Sequence, residues 1–396
     1  MPWNETDAVI ERRKFMTVLL TRGLTMVEAC RQFGISRKTG YKIVARHAEL
    51  GMAGLTDASR APRTHPNQSP PEVEAAILRV RKAHPTWGSK KILAVLDRQQ
   101  VDQAWPVRST VDAILKRAGV VEPRGRRVRR QPSAPPVVDA ASPNEVWAMD
   151  YKGWFLVGDG TRCDPLTVND QFSRASLVCQ AMVAPKSADV RRCLERTFRA
   201  YGLPRFMLSD GGPPFGSNGL GRLSRLGVWL VGVGVIPILI EPGRPDQNGR
   251  QERFHETLKA ETAKPPRVSI RAQQAAFGRF QVSYNQERPH EALGMKTPAE
   301  VWQLSPRQLP ATRVEHGYRD GFDVRRVRAD GSIKWSGGHV FVGEAFTGEL
   351  IGLEAADEGL WHVHLGPLRV GVLHGRSKTV VPLVPSVTHV PGHGAG

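Results

Sequence analysis

Three carboxylates in three different local settings carry the chemistry that this chain offers. Asp150 interrupts an apolar, strand-like run, Val146-Trp147-Ala148-Met149-Asp150-Tyr151-Lys152-Gly153-Trp154-Phe155. Asp210 closes a second run, Phe206-Met207-Leu208-Ser209-Asp210, just before Gly211-Gly212-Pro213-Pro214-Phe215. Glu252 follows the polar turn Pro245-Asp246-Gln247-Asn248-Gly249 and opens a helical stretch. A carboxylate in a strand that otherwise reads as core costs free energy unless a cation or a donor compensates it. Three of them on a strongly basic chain point to a site built to hold divalent metal. Carboxylate oxygens are hard ligands that suit Mg²⁺ or Mn²⁺ rather than zinc. Two such ions about 3.5–4 Å apart can activate a nucleophile and stabilise the leaving oxygen of a phosphodiester.

The local settings say how the three can meet. On a strand, Asp150 shares a face with Ala148 and Lys152, while its sequence neighbours point the other way. Asp210 sits where a strand gives way to Gly-rich backbone, so its side chain can project from the end of the sheet. Glu252 lies four residues after Asn248 and three before His255, along one side of a helix. If that helix crosses the sheet beside both strands, the carboxylates converge, and such a cluster repels itself unless ions neutralise it. Taken singly, each residue has an ordinary explanation: a satisfied polar group in a strand, a turn starter before Gly211, a first-turn acid favoured by the helix dipole. Two nearby acids read differently. Asp170, before Gln171-Phe172-Ser173-Arg174, is taken as structural, and Asp246 as part of a helix cap.

Charge narrows the partners. Lys and Arg number 56 against 38 Asp and Glu, a formal net charge of +18 over 396 residues. That excess favours polyanions, nucleic acid before an anionic membrane. The longest nearly unbroken apolar stretch, Val228 to Ile240, is too short and too rich in Gly and Pro to span a bilayer, and the N-terminus lacks the basic-then-apolar form of a signal peptide. Cys30, Cys163, Cys179 and Cys193 show no C-x-x-C spacing, which fits a reducing, cytoplasmic setting rather than a disulfide framework or a zinc knuckle. His389 and His393 enclose Pro391 and Gly392 and so cannot share a helix face. His362 and His364 alternate on an expected strand and read as surface residues rather than metal ligands.

The elements that must position these groups fall into five segments. Residues 1–60 read as a helix-turn-helix: Thr25-Met26-Val27-Glu28 is a capping box, Gly34 breaks the first helix, and Ser36 caps the second. Ala29 is small where the helices cross, and Ile35 and Ile43 bury between them. Arg37, Lys38, Thr39 and Lys42 then face outward from the end of the second helix, which in this motif enters the major groove of double-stranded DNA. Residues 61–122 show three short helical periods, read as a second helical DNA-binding module, with a plain three-helix spacer as the alternative. Residues 123–143 are an Arg/Pro-rich linker whose Arg124, Arg126, Arg127, Arg129 and Arg130 can follow a phosphate backbone. In 144–308 strands and helices alternate in the pattern of a mixed α/β sheet, hairpins first and crossover helices later. Residues 309–396 lose the helical period and read as a small β-rich domain with a frayed tail.

At this point the residues match something specific. Asn144-Glu145-Val146-Trp147-Ala148-Met149-Asp150-Tyr151-Lys152-Gly153 resembles the first catalytic block of the DDE transposases of integrase-core type from bacterial insertion sequences. Ser209-Asp210-Gly211-Gly212-Pro213-Pro214-Phe215 is similar to the second block, and Pro242 to His255 to the third. Tyr284-Asn285-Gln286-Glu287-Arg288-Pro289-His290, followed by Thr297-Pro298-Ala299-Glu300, looks like the family's closing signature. His84-Pro85-Thr86-Trp87-Gly88 and the N-terminal helix-turn-helix fit as well. The match runs in order over most of residues 10–308.

The resemblance implies a multidomain α/β protein: helix-turn-helix modules, a ribonuclease-H-like catalytic core and a small C-terminal β domain. It implies Asp150, Asp210 and Glu252 as catalytic metal ligands holding two Mg²⁺ or Mn²⁺ ions, with Lys152, Arg253 and His255 orienting DNA phosphates. It implies an enzyme that binds the terminal inverted repeats of its element, cleaves there, and joins the freed 3′-OH to target DNA. A dimer or larger assembly on DNA, associated with the nucleoid and without a membrane, follows from holding two ends together. One departure stands out: the family usually has Asn directly after the second Asp, and Gly211 stands there. A catalytically silent DNA-binding regulator and a nuclease without strand transfer are the alternatives.

Overall fold

The computed structural model describes residues 7–21, 23–57, 59, 68–100, 102–121, 138–240, 249–314, 316–357 and 359–383. The chain divides into two compact units, Met1–Ser69 and Pro70–Gly396.

The first unit contains α1 (Ala8–Thr21), α2 (Met26–Gln32) and α3 (Arg37–Leu50). The Thr25–Glu28 capping box is formed in full, and the Ser36 side chain accepts from Thr39 N–H, so both helix starts lie where the sequence places them. α1 was not expected, although Asp7 directly before it accepts a hydrogen bond from Val9 N–H in the manner of an N-cap. Phe15, Met16, Ala29, Cys30, Ile43 and Leu55 form the core. Ala29 is fully buried, and a second small residue matters as much: a Cβ on Gly40 would lie 2.6 Å from Cys30 Sγ. That contact lets α3 lie close against α2.

In the second unit, α4 (Pro71–Ala83), α5 (Ser89–Gln99) and α6 (Arg108–Arg117) enclose a core of their own around Trp87, Ile77, Ile92 and Val111. The α/β core follows with β1 (Val146–Tyr151), β2 (Phe155–Leu156), β3 (Arg162–Asp170), β4 (Ser176–Met182), α7 (Ser187–Tyr201), β5 (Phe206–Ser209), α8 (Arg225–Gly232), β6 (Ile236–Leu239), α9 (Gly249–Thr262), α10 (Ile270–Gln286) and the short α11 (Pro298–Val301). β3 runs antiparallel to both β1 and β4, whereas β5 lies parallel to β1 and β6 parallel to β5. The order across the sheet is therefore β4-β3-β1-β5-β6, with β2 resuming the edge of β3 after β1 breaks at Lys152.

Alternation along these strands sorts their residues to two faces. Trp147, Met149, Leu166, Val168 and Met207 pack with Leu194 and Phe198 of α7 and Leu226, Trp229 and Leu230 of α8. On the other side, Cys163 and Cys179 pack with Phe254 and Leu258 of α9 and Phe277, Phe280 and Tyr284 of α10. The sheet is thus covered by helices on both faces.

The C-terminal part adds β7 (Phe322–Arg326), β8 (Ser332–Trp335), β9 (Gly338–Phe341), β10 (Leu350–Ala355), β11 (Leu360–Leu365), β12 (Leu368–His374) and β13 (Thr379–Pro382). They form a five-stranded antiparallel sheet, β13-β12-β11-β10-β7, and a β8-β9 hairpin. Their core includes Leu220, Leu223, Val228 and Val231, so this domain is seated on the segment between β5 and β6.

Phe198 stands at the centre of the α/β core, fully buried with its ring 5.8 Å from Trp229 and 6.0 Å from Trp147. Phe198→Ala should destabilise the chain by about 3–5 kcal/mol. Chemical denaturation checks it; a loss below about 1 kcal/mol would show that this cluster does not anchor the core.

Candidate active site

The sheet register brings the first two carboxylates together. Ala148 pairs with Leu208 across the parallel β1/β5 ladder, so Asp150 and Asp210, each two residues further on, fall on the same face at neighbouring strand ends. On its other side Asp150 pairs with Thr167 of β3. Asp210 is exposed just past the end of β5 and accepts a hydrogen bond from Gly212 N–H. Glu252 is exposed in the first turn of α9.

α9 is held to this face by a buried polar chain. Asn169 Nδ2 donates to Gln251 Oε1 (2.8 Å), and Gln251 Nε2 donates to Thr167 Oγ1 (2.9 Å). Thr167 Oγ1 also contacts the Asp150 carbonyl at 3.1 Å and His255 Nε2 at 2.8 Å. A hydroxyl has one proton and two lone pairs. If Thr167 donates to the Asp150 carbonyl, it accepts from Gln251 and from a His255 protonated on Nε2, and its hydroxyl is fully used, whereas the buried Asn169 Oδ1 is left without a hydrogen-bond partner. The residue beside Glu252 is thereby tied to the residue opposite Asp150.

The electrostatics report the proximity. Burial lifts the Asp150 carboxyl to about 7, and the charges of Asp210 and Glu252 add to the shift against one opposing backbone hydrogen bond. Partial loss of water also raises Asp210, opposed by the Gly212 N–H. The three form an open cluster: among the described residues, the group whose ligand atoms all lie within 4.8 Å of one another is Glu354, His362 and His364. The acidic trio feels itself through charge, and its oxygens must draw together to share ions.

The other expected residues separate into groups. Lys152 lies in the break after β1, its amine 5.8 Å over the Phe155 ring and its pKa lowered by burial and then by Lys259. Arg253 is exposed on α9. His255 departs from the expectation of a phosphate contact: its Nε2 is engaged by Thr167, and burial followed by the Lys152 charge lowers its pKa to about 3, so the ring is neutral. Asp170 accepts from the backbone of Asn144 and Ser173 and from the Ser173 hydroxyl, the structural role expected of it. Arg37, Lys38, Thr39 and Lys42 are exposed at the start of α3, with Tyr41 61% exposed among them. Arg124, Arg126, Arg127, Arg129 and Arg130, and also Asp246, His389 and His393, lie outside the described residues.

Two sets of residues were not foreseen. Thr167, Asn169 and Gln251 are polar groups in elements that bury them, and that mismatch was a readable signal. Arg222 was not legible: its guanidinium occupies the space a side chain at position 211 would need. Gly211 therefore leaves room beside Asp210 that a cation fills.

A ribonuclease-H-like core with an acidic cluster at its central strand defines the class. Comparison with known proteins agrees with it. Two Integrase core domain families match residues 140–245 and 233–298. A Helix-turn-helix domain matches 11–63, a Homeodomain-like domain 39–115, and the C-terminal domain of IS481 family transposases 322–380. The chain is 28% identical over 237 residues to an uncharacterized 31.7 kDa protein of insertion element IS407 from Burkholderia multivorans, covering 58% of this chain and 80% of that one. It is 25% identical over 282 residues to an uncharacterized 39.2 kDa protein of insertion element IS476 from Xanthomonas euvesicatoria, covering 70% and 78%. Among solved structures, the HTLV-2 integrase catalytic core domain in complex with magnesium aligns at TM-score 0.33 and 16% identity over 41% of this chain and 99% of its own. A simian T-cell lymphotropic virus intasome aligns at TM-score 0.36 and 13% identity over 72% and 91%. Together the matched domains and the insertion-element relatives support a bacterial insertion-sequence transposase with an integrase core. Among the described residues no helix is long and apolar enough to cross a membrane.

The raised Asp150 carboxyl has a consequence for stability. Its ordinary value is 3.8 and its folded value about 7, so between these the folded chain holds a proton that the unfolded chain has lost. The associated stability is complete below the lower value and is lost as pH rises through the upper one. Without divalent ions, Asp150→Asn should therefore be more stable than the parent at pH 8, by on the order of 1–3 kcal/mol, with the difference vanishing near pH 4. Urea unfolding across that range checks it; a variant less stable than the parent at pH 8 would contradict the crowding.

Proposed function

We propose that this transposase binds the terminal inverted repeats of its element and cuts a phosphodiester at each end, with water as the nucleophile. The freed 3′-OH then attacks target DNA. The observation that supports this reading most is the Asp150 carboxyl, lifted by burial and by the charges of Asp210 and Glu252 at one end of the sheet. An all-carboxylate donor set that repels itself fits hard divalent cations. Asp150, Asp210 and Glu252 would hold two Mg²⁺ or Mn²⁺ ions, which when bound neutralise the trio and polarise phosphate oxygens.

The chain's own groups supply positioning. Gln251 and Thr167 fix α9, and with it Glu252, against β1. Arg222 beside Gly211, together with Lys152 and Arg253, offers cations to the phosphates that flank the scissile bond. His255 acts behind the site, through Thr167. Arg37, Lys38, Thr39 and Lys42 would enter the major groove at the start of α3, while the arginines of the 123–143 linker would follow the backbone and make binding salt-dependent. In this layout residues 1–60 and 61–122 read the ends, 144–308 catalyse, and 309–396 support the core. Bringing two ends together requires a dimer or larger assembly, acting in the cytoplasm on nucleoid DNA.

The full-length protein with Mg²⁺ should nick a duplex carrying the element's terminal repeat and join labelled ends into plasmid DNA. Asp150→Asn should lower nicking by on the order of 10²–10³-fold or more, the scale of removing a group that stabilises transition-state charge, with repeat binding retained. Equal nicking by Asp150→Asn would place the active site elsewhere. Specific binding by the parent without Mg²⁺-dependent cleavage would favour a catalytically silent regulator, and cleavage without joining a nuclease.

A further inference from the structure

The C-terminal sheet carries a second constellation of ligand side chains, well outside the acidic trio in sequence and of different chemistry. Glu354 of β10 stands directly opposite His362 of β11, and His364 follows two residues later. Glu354 Oε2 lies 3.3 Å from His364 Nε2 and 3.9 Å from His362 Nδ1, and the three ligand atoms all lie within 4.8 Å of one another. Ligands at about 2.0–2.2 Å from a tetrahedral ion are themselves separated by roughly 3.4 Å, so the observed spacing is close to that of one coordination sphere.

The expectation that His364 is a surface residue fails here. Its side chain is only 9% exposed, and the Phe322 ring meets it edge-on at 5.2 Å. Its Nε2 is buried and has no hydrogen-bond partner: the carboxylate is near but misaligned for an N–H···O bond. Buried ring nitrogens are normally paired. Ligands of one ion converge on a shared point rather than on each other, which is what a close but misaligned pair allows.

We propose that Glu354, His362 and His364 bind one divalent transition-metal ion of the zinc class in the C-terminal β domain. Two imidazoles and a carboxylate suit Zn²⁺, Co²⁺ or Ni²⁺ and disfavour Mg²⁺, whose preferred ligands are all oxygen. Three protein ligands leave a fourth position open to water or to a further donor. One group opposes the ion: Arg369 Nη1 lies 3.3 Å from His362 Nε2. A metal on Nδ1 puts the ring proton on Nε2, so the guanidinium must turn aside.

Calorimetry of untagged, metal-stripped full-length protein titrated with Zn²⁺ in excess Mg²⁺ tests this, with the visible absorption of Co²⁺ as a second probe. One ion per chain should bind in the parent and equally in Asp150→Asn. Glu354→Gln and His364→Ala should each weaken binding by more than about tenfold, at least the scale seen when groups supporting a metal site are removed. Glu354→Gln is nearly isosteric on a half-exposed residue, so its reading does not depend on whether His364→Ala folds normally. No Zn²⁺ binding by the parent, undiminished binding by Glu354→Gln, or loss of binding in Asp150→Asn would each overturn the proposal. None of these readouts depends on DNA cleavage.

Discussion

A carboxylate placed in the central strand of a closed α/β layer has few ways to be tolerated. Asp150 has apolar neighbours along β1, packed core behind the sheet and two further acids at its open end. Repulsion among the three raises the free energy of the ion-free protein, and divalent cations at this end of the sheet would relieve it. On the proposed function, the same crowding that weakens the ion-free chain would give it affinity for metal. Much of the surrounding architecture serves to hold that arrangement in place.

The holding is done on two scales. At short range, the hydroxyl of Thr167 joins β1, β3 and α9 through three contacts, and Gln251 extends the chain to Asn169. Because these polar groups are buried, each bond matters more for what its loss would leave unpaired than for its own net strength. At longer range, aromatic packing of Phe198 with Trp147 and Trp229 on one face, and of Phe254 with Phe280 and Tyr284 on the other, keeps the strand ends in register. Glu252, although exposed, inherits its position from a helix whose inner side is fixed.

What could be read from the amino-acid order follows from how local each signal is. Asp150 was visible because a charge in an apolar alternating run is a conflict within ten residues. The starts of α2 and α3 were visible because capping is a four-residue chemistry. β10 and β12 were not foreseen, since Leu350–Ala355 and Leu368–His374 contain Gly352 and Gly371, which weaken a strand pattern. The reason for both glycines is distant in sequence: Tyr318 and Phe322 crowd the first, Leu220 the second. Non-local pairing also hid the contact of Glu354 with His362 and His364, the place of Arg222 beside Gly211, and the inward turn of His255. That last residue was misjudged because helix position tells which side a group is on, not which partner it meets.

The central claim, that Asp150, Asp210 and Glu252 gather around shared ions, is tested most directly by crystallography with Mn²⁺ and anomalous scattering. The account predicts two peaks at the ends of β1 and β5, with all three carboxylates in contact with one or both. Peaks absent from this end of the sheet, or a bound ion from which any of the three side chains is turned away, would contradict it.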